Sequence, residues 1–181
     1  MTTSTTTSTL RRRVVPSPVG PLTLIASDAG LRAVLWLDDA PGRVPFAAAP
    51  VDDDDEDPVL SAAAGQLEEW FAGRRTAFDL ALDPAGTPFQ HQVWDELARV
   101  SFGQTTTYGE LAEEATGDRR KARAVGAAVG RNPLSIVVPC HRVIGANGTL
   151  TGFAGGLDVK RHLLDHEAGA PPLDLGLAPA T

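Results

Sequence analysis

The chain holds one cysteine, Cys140, in the string Pro139-Cys140-His141-Arg142-Val143. A free thiol titrates near about 8.5 and is mostly protonated at neutral pH, so a nucleophilic role needs a base or a positive neighbour. His141 is the candidate base. Adjacent side chains usually diverge, so coupling between the two is expected to run through a bound water. A base in turn needs an orienting acid, and Glu167, in His162-Leu163-Leu164-Asp165-His166-Glu167, is the candidate near the end of the last helix. Plainer readings stand beside these: a lone cysteine is often a small buried apolar residue, and a helix-end glutamate a solvated acid. His162 and His166 have an i, i+4 spacing that suits a metal, but no third ligand accompanies them. A cysteine cannot serve both as ligand and as free nucleophile, so no metal is expected.

A net charge of -7 argues at first against a nucleic-acid partner. The distribution changes that. Residues 1–87 carry 7 Lys/Arg against 13 Asp/Glu, while residues 88–169 carry 9 against 9. Much of the acid lies in Asp52-Asp53-Asp54-Asp55-Glu56-Asp57, which reads as a surface loop because like charges repel. Arg119, Arg120, Lys121, Arg123 and Arg131 form a local basic patch beside Asp118. Screening over roughly 8–10 Å lets such a patch grip phosphates on an acidic chain. The single thiol excludes an intramolecular disulfide. Met1–Thr9 is a Ser/Thr tract with no apolar segment behind it, and no apolar run reaches the length of about eighteen that a membrane span needs. The expectation is a cytoplasmic protein with no membrane association.

The elements that must position these residues are legible in outline. Residues 1–9 read as a disordered tail. Arg13–Val15, Leu22–Ala26 and Leu31–Leu37, separated by turn signals, read as a small antiparallel meander. Asp57 and Pro58 open a helix carrying Leu60, Ala64, Leu67 and Phe71 at helical spacing, and Thr76–Leu82 alternates like one more strand. This gives an N-terminal α/β domain over 10–83 and a linker over 84–87. The domain at 88–169 is helical, and a flexible tail follows over 170–181. Thr87-Pro88-Phe89-Gln90 and Thr107-Tyr108-Gly109-Glu110 are capping boxes, the first opening a helix with the stripe Phe89, Val93, Leu97 and Val100. A second helix should stop at Thr116-Gly117, and Asp118 caps a third that Asn132-Pro133 ends. Two short helices joined by a tight turn, the second basic, make a helix-turn-helix candidate. Small residues Ala122, Ala124, Gly126, Ala127 and Ala128 suit either close packing or a groove. Leu134–Pro139 reads as a buried strand or extended segment leading to Cys140.

Pro139-Cys140-His141-Arg142-Val143, with Arg131-Asn132-Pro133 before it and Gly155-Gly156-Leu157, Lys160 and His166-Glu167 after it, resembles the active-site region of the O6-alkylguanine-DNA alkyltransferases, over about Thr87 to Gly169. The resemblance implies an α+β fold: a ribonuclease H-like N-terminal domain, and a winged helix-turn-helix domain carrying the cysteine. It implies stoichiometric transfer of an alkyl group from O6 of guanine, and also from O4 of thymine, to Cys140. No cofactor is involved. The partner is double-stranded DNA containing O6-alkylguanine, bound by a monomer, with cooperative binding along DNA left open.

By the same resemblance His141 deprotonates Cys140 through water, Glu167 holds the imidazole, and Asn132 ties the preceding turn to the catalytic loop. Tyr108 acts on the phosphate or the flipped base. Arg123 fills the vacated stack, from a helix whose Ala122, Ala124 and Gly126 sit in the groove. Val143, Phe153, Gly155 and Gly156 line the base pocket. An alkyl carbon on O6 is out of reach inside a duplex, which agrees with nucleotide flipping.

Phe153 stands where many members have tyrosine and Ala154 where a hydroxyl residue contacts the alkylated oxygen, which bears on base recognition and alkyl range. Some members bind zinc in the first half; this chain has no cysteine there to do so. A lesion-binding module without chemistry and a cysteine hydrolase are the rival readings. A cysteine after Pro139 disfavours the former, and the basic helix goes unexplained by the latter.

Overall fold

The computed structural model describes residues 9–46, 48–52 and 57–169. The expected tails, but for Thr9, and residues 53–56 of the acidic run lie outside the described residues. Strands β1 (Arg11–Val15), β2 (Leu22–Ser27) and β3 (Gly30–Trp36) form the antiparallel meander, and β4 (Val51–Asp52) adds a short parallel edge in the order β3-β2-β1-β4. The apolar sequence of β2 is covered on both faces. Leu22, Leu24 and Ala26 enter the main core with α1 (Pro58–Phe71), and Ile25 joins Leu10 and Ala33 in a smaller cluster against Leu35, Val44 and Phe46.

Both ends of the acidic run, expected as a surface loop, are tied to arginines of β1. Asp52 lies in β4 and accepts from Arg12 Nε at 2.6 Å. Asp57 caps α1, accepting from the Leu60 amide at 2.8 Å, and accepts from Arg11 Nε at 2.5 Å. The buried stripe of α1 is Leu60, Ala63, Leu67 and Trp70, with Ala64 and Phe71 half-buried beside it.

Thr76–Leu82 does not form the expected strand. Only Leu82 makes a bridge, to Leu31, and Leu82 is 43% exposed. The reason is competition for the free edge of β3: at one end Leu31 N donates to Ala81 O and Leu31 O accepts from Asp83 N, while Val34 N donates to Pro133 O at 2.9 Å further along. A continuous fifth strand has no edge left to pair with.

After residue 87 helices dominate: α2 (Pro88–Leu97), α3 (Tyr108–Thr116), α4 (Ala122–Gly130) and α5 (Leu157–Glu167). Both capping boxes close in both directions, through Thr87 with Gln90 and Thr107 with Glu110. Gly117, at φ 70°, ends α3 in the left-handed region, and Asp118 caps a 3₁₀ turn, Arg119–Lys121, that feeds α4. The third helix therefore begins as 3₁₀. The pair α3 and α4 is the helix-turn-helix, and the parallel ladder of β5 (Thr106–Thr107) with β6 (Val143–Ile144) stands beside it. The fold is α+β, a small mixed sheet with one helix followed by a helical half. Trp94 of α2 locks α4 by donating from Nε1 to Ala128 O at 2.9 Å.

Leu134–Pro139 is also not a strand. It folds into a compact buried turn, with only Leu134 bridging to Val34. Asn132 replaces ladder partners with its own amide, accepting from Leu134 N at 3.0 Å and donating from Nδ2 to Val138 O at 2.8 Å. Ile136 sits at φ 71° inside this turn, a region that β-branched residues avoid.

Asp57→Ala removes a helix cap and a buried ion-pair partner together. It should lower unfolding free energy by about 2 kcal/mol or more in urea titration, and Asp57→Asn, which keeps a capping oxygen, by less. Burial raises the Asp57 carboxyl, but the Leu60 amide and Arg11 outweigh it and hold it below the usual range. Its charge-dependent contribution is present above the ordinary aspartate value of about 4 and lost as pH falls through the depressed one, so the gap between wild type and each variant should narrow in acid.

Candidate active site

Cys140 begins a 3₁₀ turn, Cys140–Arg142, directly after Pro139, and its amide donates to Val138 O at 2.8 Å. It is 8% exposed and lines a cavity of about 540 Å³ shared with Arg43, Tyr108, Arg123 and Phe153. The Asn132 clamp and the strained Ile136 fix the turn from which the thiol projects. Such strain persists only where surrounding bonds over-determine it.

One residue on, His141 is fully buried, with Nε2 2.7 Å from Glu167 Oε1. Glu167 also accepts from Arg142 Nε at 2.9 Å to Oε2, from Arg142 Nη2 at 2.8 Å to Oε1 and from the Gly103 amide at 3.0 Å. Burial alone would raise Glu167, but the bonds from His141, Arg142 and Gly103 bring it down to about 2. An ionised carboxylate only accepts, so Nε2 must carry the proton and Nδ1 the lone pair. Nδ1 is buried with no partner among the described residues. Burial also lowers the imidazole, against the pull of Glu167, so it is neutral at neutral pH. Burial raises the Cys140 thiol, while Asn132, Arg43 and Lys160 pull it down. At rest, therefore, the thiol is protonated and the imidazole neutral.

Residues 10–84 match the family model described as 6-O-methylguanine DNA methyltransferase, ribonuclease-like domain, and residues 88–169 the one described as 6-O-methylguanine DNA methyltransferase, DNA binding domain. A methylated-DNA–protein-cysteine methyltransferase of Mycobacterium tuberculosis is 44% identical over 167 residues, covering 91% of this chain and 96% of that protein. One of Methanosarcina acetivorans is 43% identical over 154 residues, covering 85% and 96%. The chain belongs to the 6-O-methylguanine DNA methyltransferase family. The crystal structure of Mycobacterium tuberculosis OGT in complex with DNA superposes with a TM-score of 0.81 at 42% identity, covering 91% of this chain and 97% of that one.

In this methyltransferase, Tyr108, Ala122, Arg123 and Gly126 line the Cys140 cavity, and Ala124 lies exposed outside it. Tyr108 Oη accepts from Thr151 Oγ1 at 3.3 Å, and a Cβ on Gly126 would stand 3.4 Å from the tyrosine ring. Phe153 and Ala154 line it as well. Val143, Gly155 and Gly156 are not part of the cavity lining. Val143 is fully buried and its carbonyl accepts from Lys160 Nζ at 2.6 Å, Gly155 packs on Trp36, and Gly156 precedes α5. His162 and His166 do not act together. His166 Nε2 donates to Trp70 O at 2.8 Å, and no group of three potential metal ligands occurs among the described residues. No helix there is long and apolar enough to cross a membrane.

The sequence reading missed the roles of Arg142, Gly103 and Arg43. Arg142 stands in the motif itself, and a buried arginine beside a histidine was the available signal. Gly103 and Arg43 lie in loops distant in sequence and leave none.

Glu167→Gln strands the Arg142 guanidinium in the core without its anion. Urea unfolding should show destabilisation of about 3–5 kcal/mol. Wild type should hold its stability down to the ordinary glutamate value near about 4.3 and lose it as pH falls towards 2, whereas Glu167→Gln should lack that loss.

Proposed function

We propose that this methyltransferase repairs DNA by direct reversal, taking the alkyl group from O6 of guanine onto Sγ of Cys140. The observation that carries the reading is that the chain's one thiol lines a cavity together with Tyr108, Arg123 and Phe153, next in sequence to a neutral histidine held by a buried carboxylate. His141 takes the thiol proton at Nδ1 through a bridging water as the base binds. Glu167 stabilises the imidazolium that forms. Thiolate Sγ then attacks the alkyl carbon in line: the S–C bond forms, the C–O6 bond breaks, and the electron pair passes into the purine. A proton returned from the His141 side leaves neutral guanine. The balance is one thiol and one alkylguanine in, one thioether and one guanine out.

Nothing in the chain reverses this. A thioether resists water, and no second thiol is present. Each molecule therefore acts once.

Arg123 is assigned to the gap left by the flipped nucleotide, since it is exposed on α4 and borders the cavity. Tyr108, at the first position of α3, is assigned to the flipped base or its phosphate. Asn132 acts as a positioning residue through the turn it closes. Residues 10–83 form the supporting domain and 88–169 the domain that meets DNA.

Incubation with an oligonucleotide carrying one O6-methylguanine should add about 14 Da to the intact protein, once, at Cys140. Multiple turnovers, or no gain, would sink the assignment. Cys140→Ala should keep DNA affinity and lose transfer; loss of the fold instead would mark Cys140 as a packing residue.

Arg123→Ala should slow transfer from duplex more than from single-stranded substrate, and equal slowing on both counts against the gap-filling role. Because burial holds the His141 imidazole below its ordinary value, the single-turnover rate should stay level down to about pH 6.5 and fall only at lower pH.

A further inference from the structure

The end of β3 reaches across to the Cys140 cavity. Trp36, its last residue, is 6% exposed and meets the Phe153 ring edge-on, with centroids 5.4 Å apart and planes at 61°. Phe153 is a wall of the cavity. Gly155 lets the indole come this close: a Cβ there would stand 2.8 and 2.9 Å from its Cδ2 and Cε2, and 3.1 Å from Phe153 Cε1. Gly155 does not adopt a left-handed φ, so the demand for glycine is one of space alone.

The backbone of Trp36 is held by the loop that follows it. Asp39 Oδ2 accepts from the Trp36 amide at 3.4 Å and from Arg43 Nη2 at 2.5 Å, and Arg43 Nη1 donates to Asn132 O at 2.6 Å. Trp36 Nε1 is buried with no acceptor among the described residues. Packing alone therefore holds the ring, and truncating it orphans no acceptor. Phe153 has no hydroxyl to anchor it either, so the indole behind it decides how far it retreats. Removing the indole leaves a void, and relaxation into a void draws Phe153 away from the cavity.

We propose that Trp36 is a specificity-determining residue, an N-terminal buttress behind the Phe153 wall that sets the size of alkyl group the cavity accepts. The inference rests on the reading of this cavity as the one that receives the alkylated base.

The test compares single-turnover transfer to Cys140 from two oligonucleotides, one with O6-methylguanine and one with O6-benzylguanine, located by peptide mass on the full chain. Trp36→Ala should raise the benzyl-to-methyl rate ratio by roughly tenfold, the scale on which an apolar pocket discriminates size. Trp36→Phe, a milder truncation, should raise it less and serves if Trp36→Ala does not fold. Gly155→Ala should lower the ratio by pressing the indole and Phe153 into the cavity, and combining it with Trp36→Ala should restore it. If both Trp36 variants slow the two substrates equally, or Gly155→Ala is not relieved in the double variant, the buttress role is overturned. A wild-type chain that labels Cys140 with neither substrate overturns the functional reading itself, which is a separate result from an unchanged ratio.

Discussion

The buried carboxylate of Glu167 is the point on which the rest of the reactive region depends. It stands at the end of α5 and gathers the 3₁₀ turn through His141 and Arg142 and the loop after α2 through Gly103. A carboxylate so buried is tolerable only when its lone pairs are filled and an opposite charge is close. Arg142 meets that condition and passes the restraint on, donating from Nη1 to Val100 O. Trp70 of α1 then meets His141 edge-on with ring centroids 6.1 Å apart, so the first half of the chain packs directly on the imidazole. Folding and chemistry share one set of bonds. The groups that make burial of Glu167 acceptable are the same groups that fix which nitrogen of His141 is basic.

Much of this was readable from local pattern, and the reasons for the rest are equally local. Helix ends announced themselves because a cap is a contact between residues three apart: Thr87 with Gln90, Thr107 with Glu110 and Asp57 with the Leu60 amide all form. The pairing of His141 with Glu167 was accessible through residue type and family likeness. The two strands that did not form, Thr76–Leu82 and Leu134–Pro139, had apolar sequence suited to pairing, yet a strand needs a partner edge and no local pattern shows which edges are taken. Ile136 in a left-handed conformation runs against its own preference, and only the Asn132 side chain closing the turn explains it. Arg43 comes to the cavity, and Trp36 to its Phe153 wall, from about a hundred residues away in the chain, beyond any spacing rule.

Charge placement follows the same division of labour. The acidic run is tied at its ends to β1, where Asp52 and Asp57 meet Arg12 and Arg11. Arg119, Arg120, Lys121 and Arg123 remain exposed at the helix-turn-helix. An acidic total and a locally basic face are compatible because the acidic run is held at β1, while at the helix-turn-helix Asp118 stands beside the cations, pairing with Arg120.

The free edge of β3 has a temporal side. Its bridge to Leu134 joins residues about a hundred positions apart. During synthesis the meander is complete long before that partner leaves the ribosome, so β3 must wait with unpaired amides and carbonyls facing outward. Open edges recruit other chains, and late long-range pairing lengthens the exposure. The nascent chain thus has a vulnerable interval that the finished molecule no longer shows, ended when Pro133 and Leu134 arrive to cover the edge and, in the same movement, to set the turn beneath Cys140.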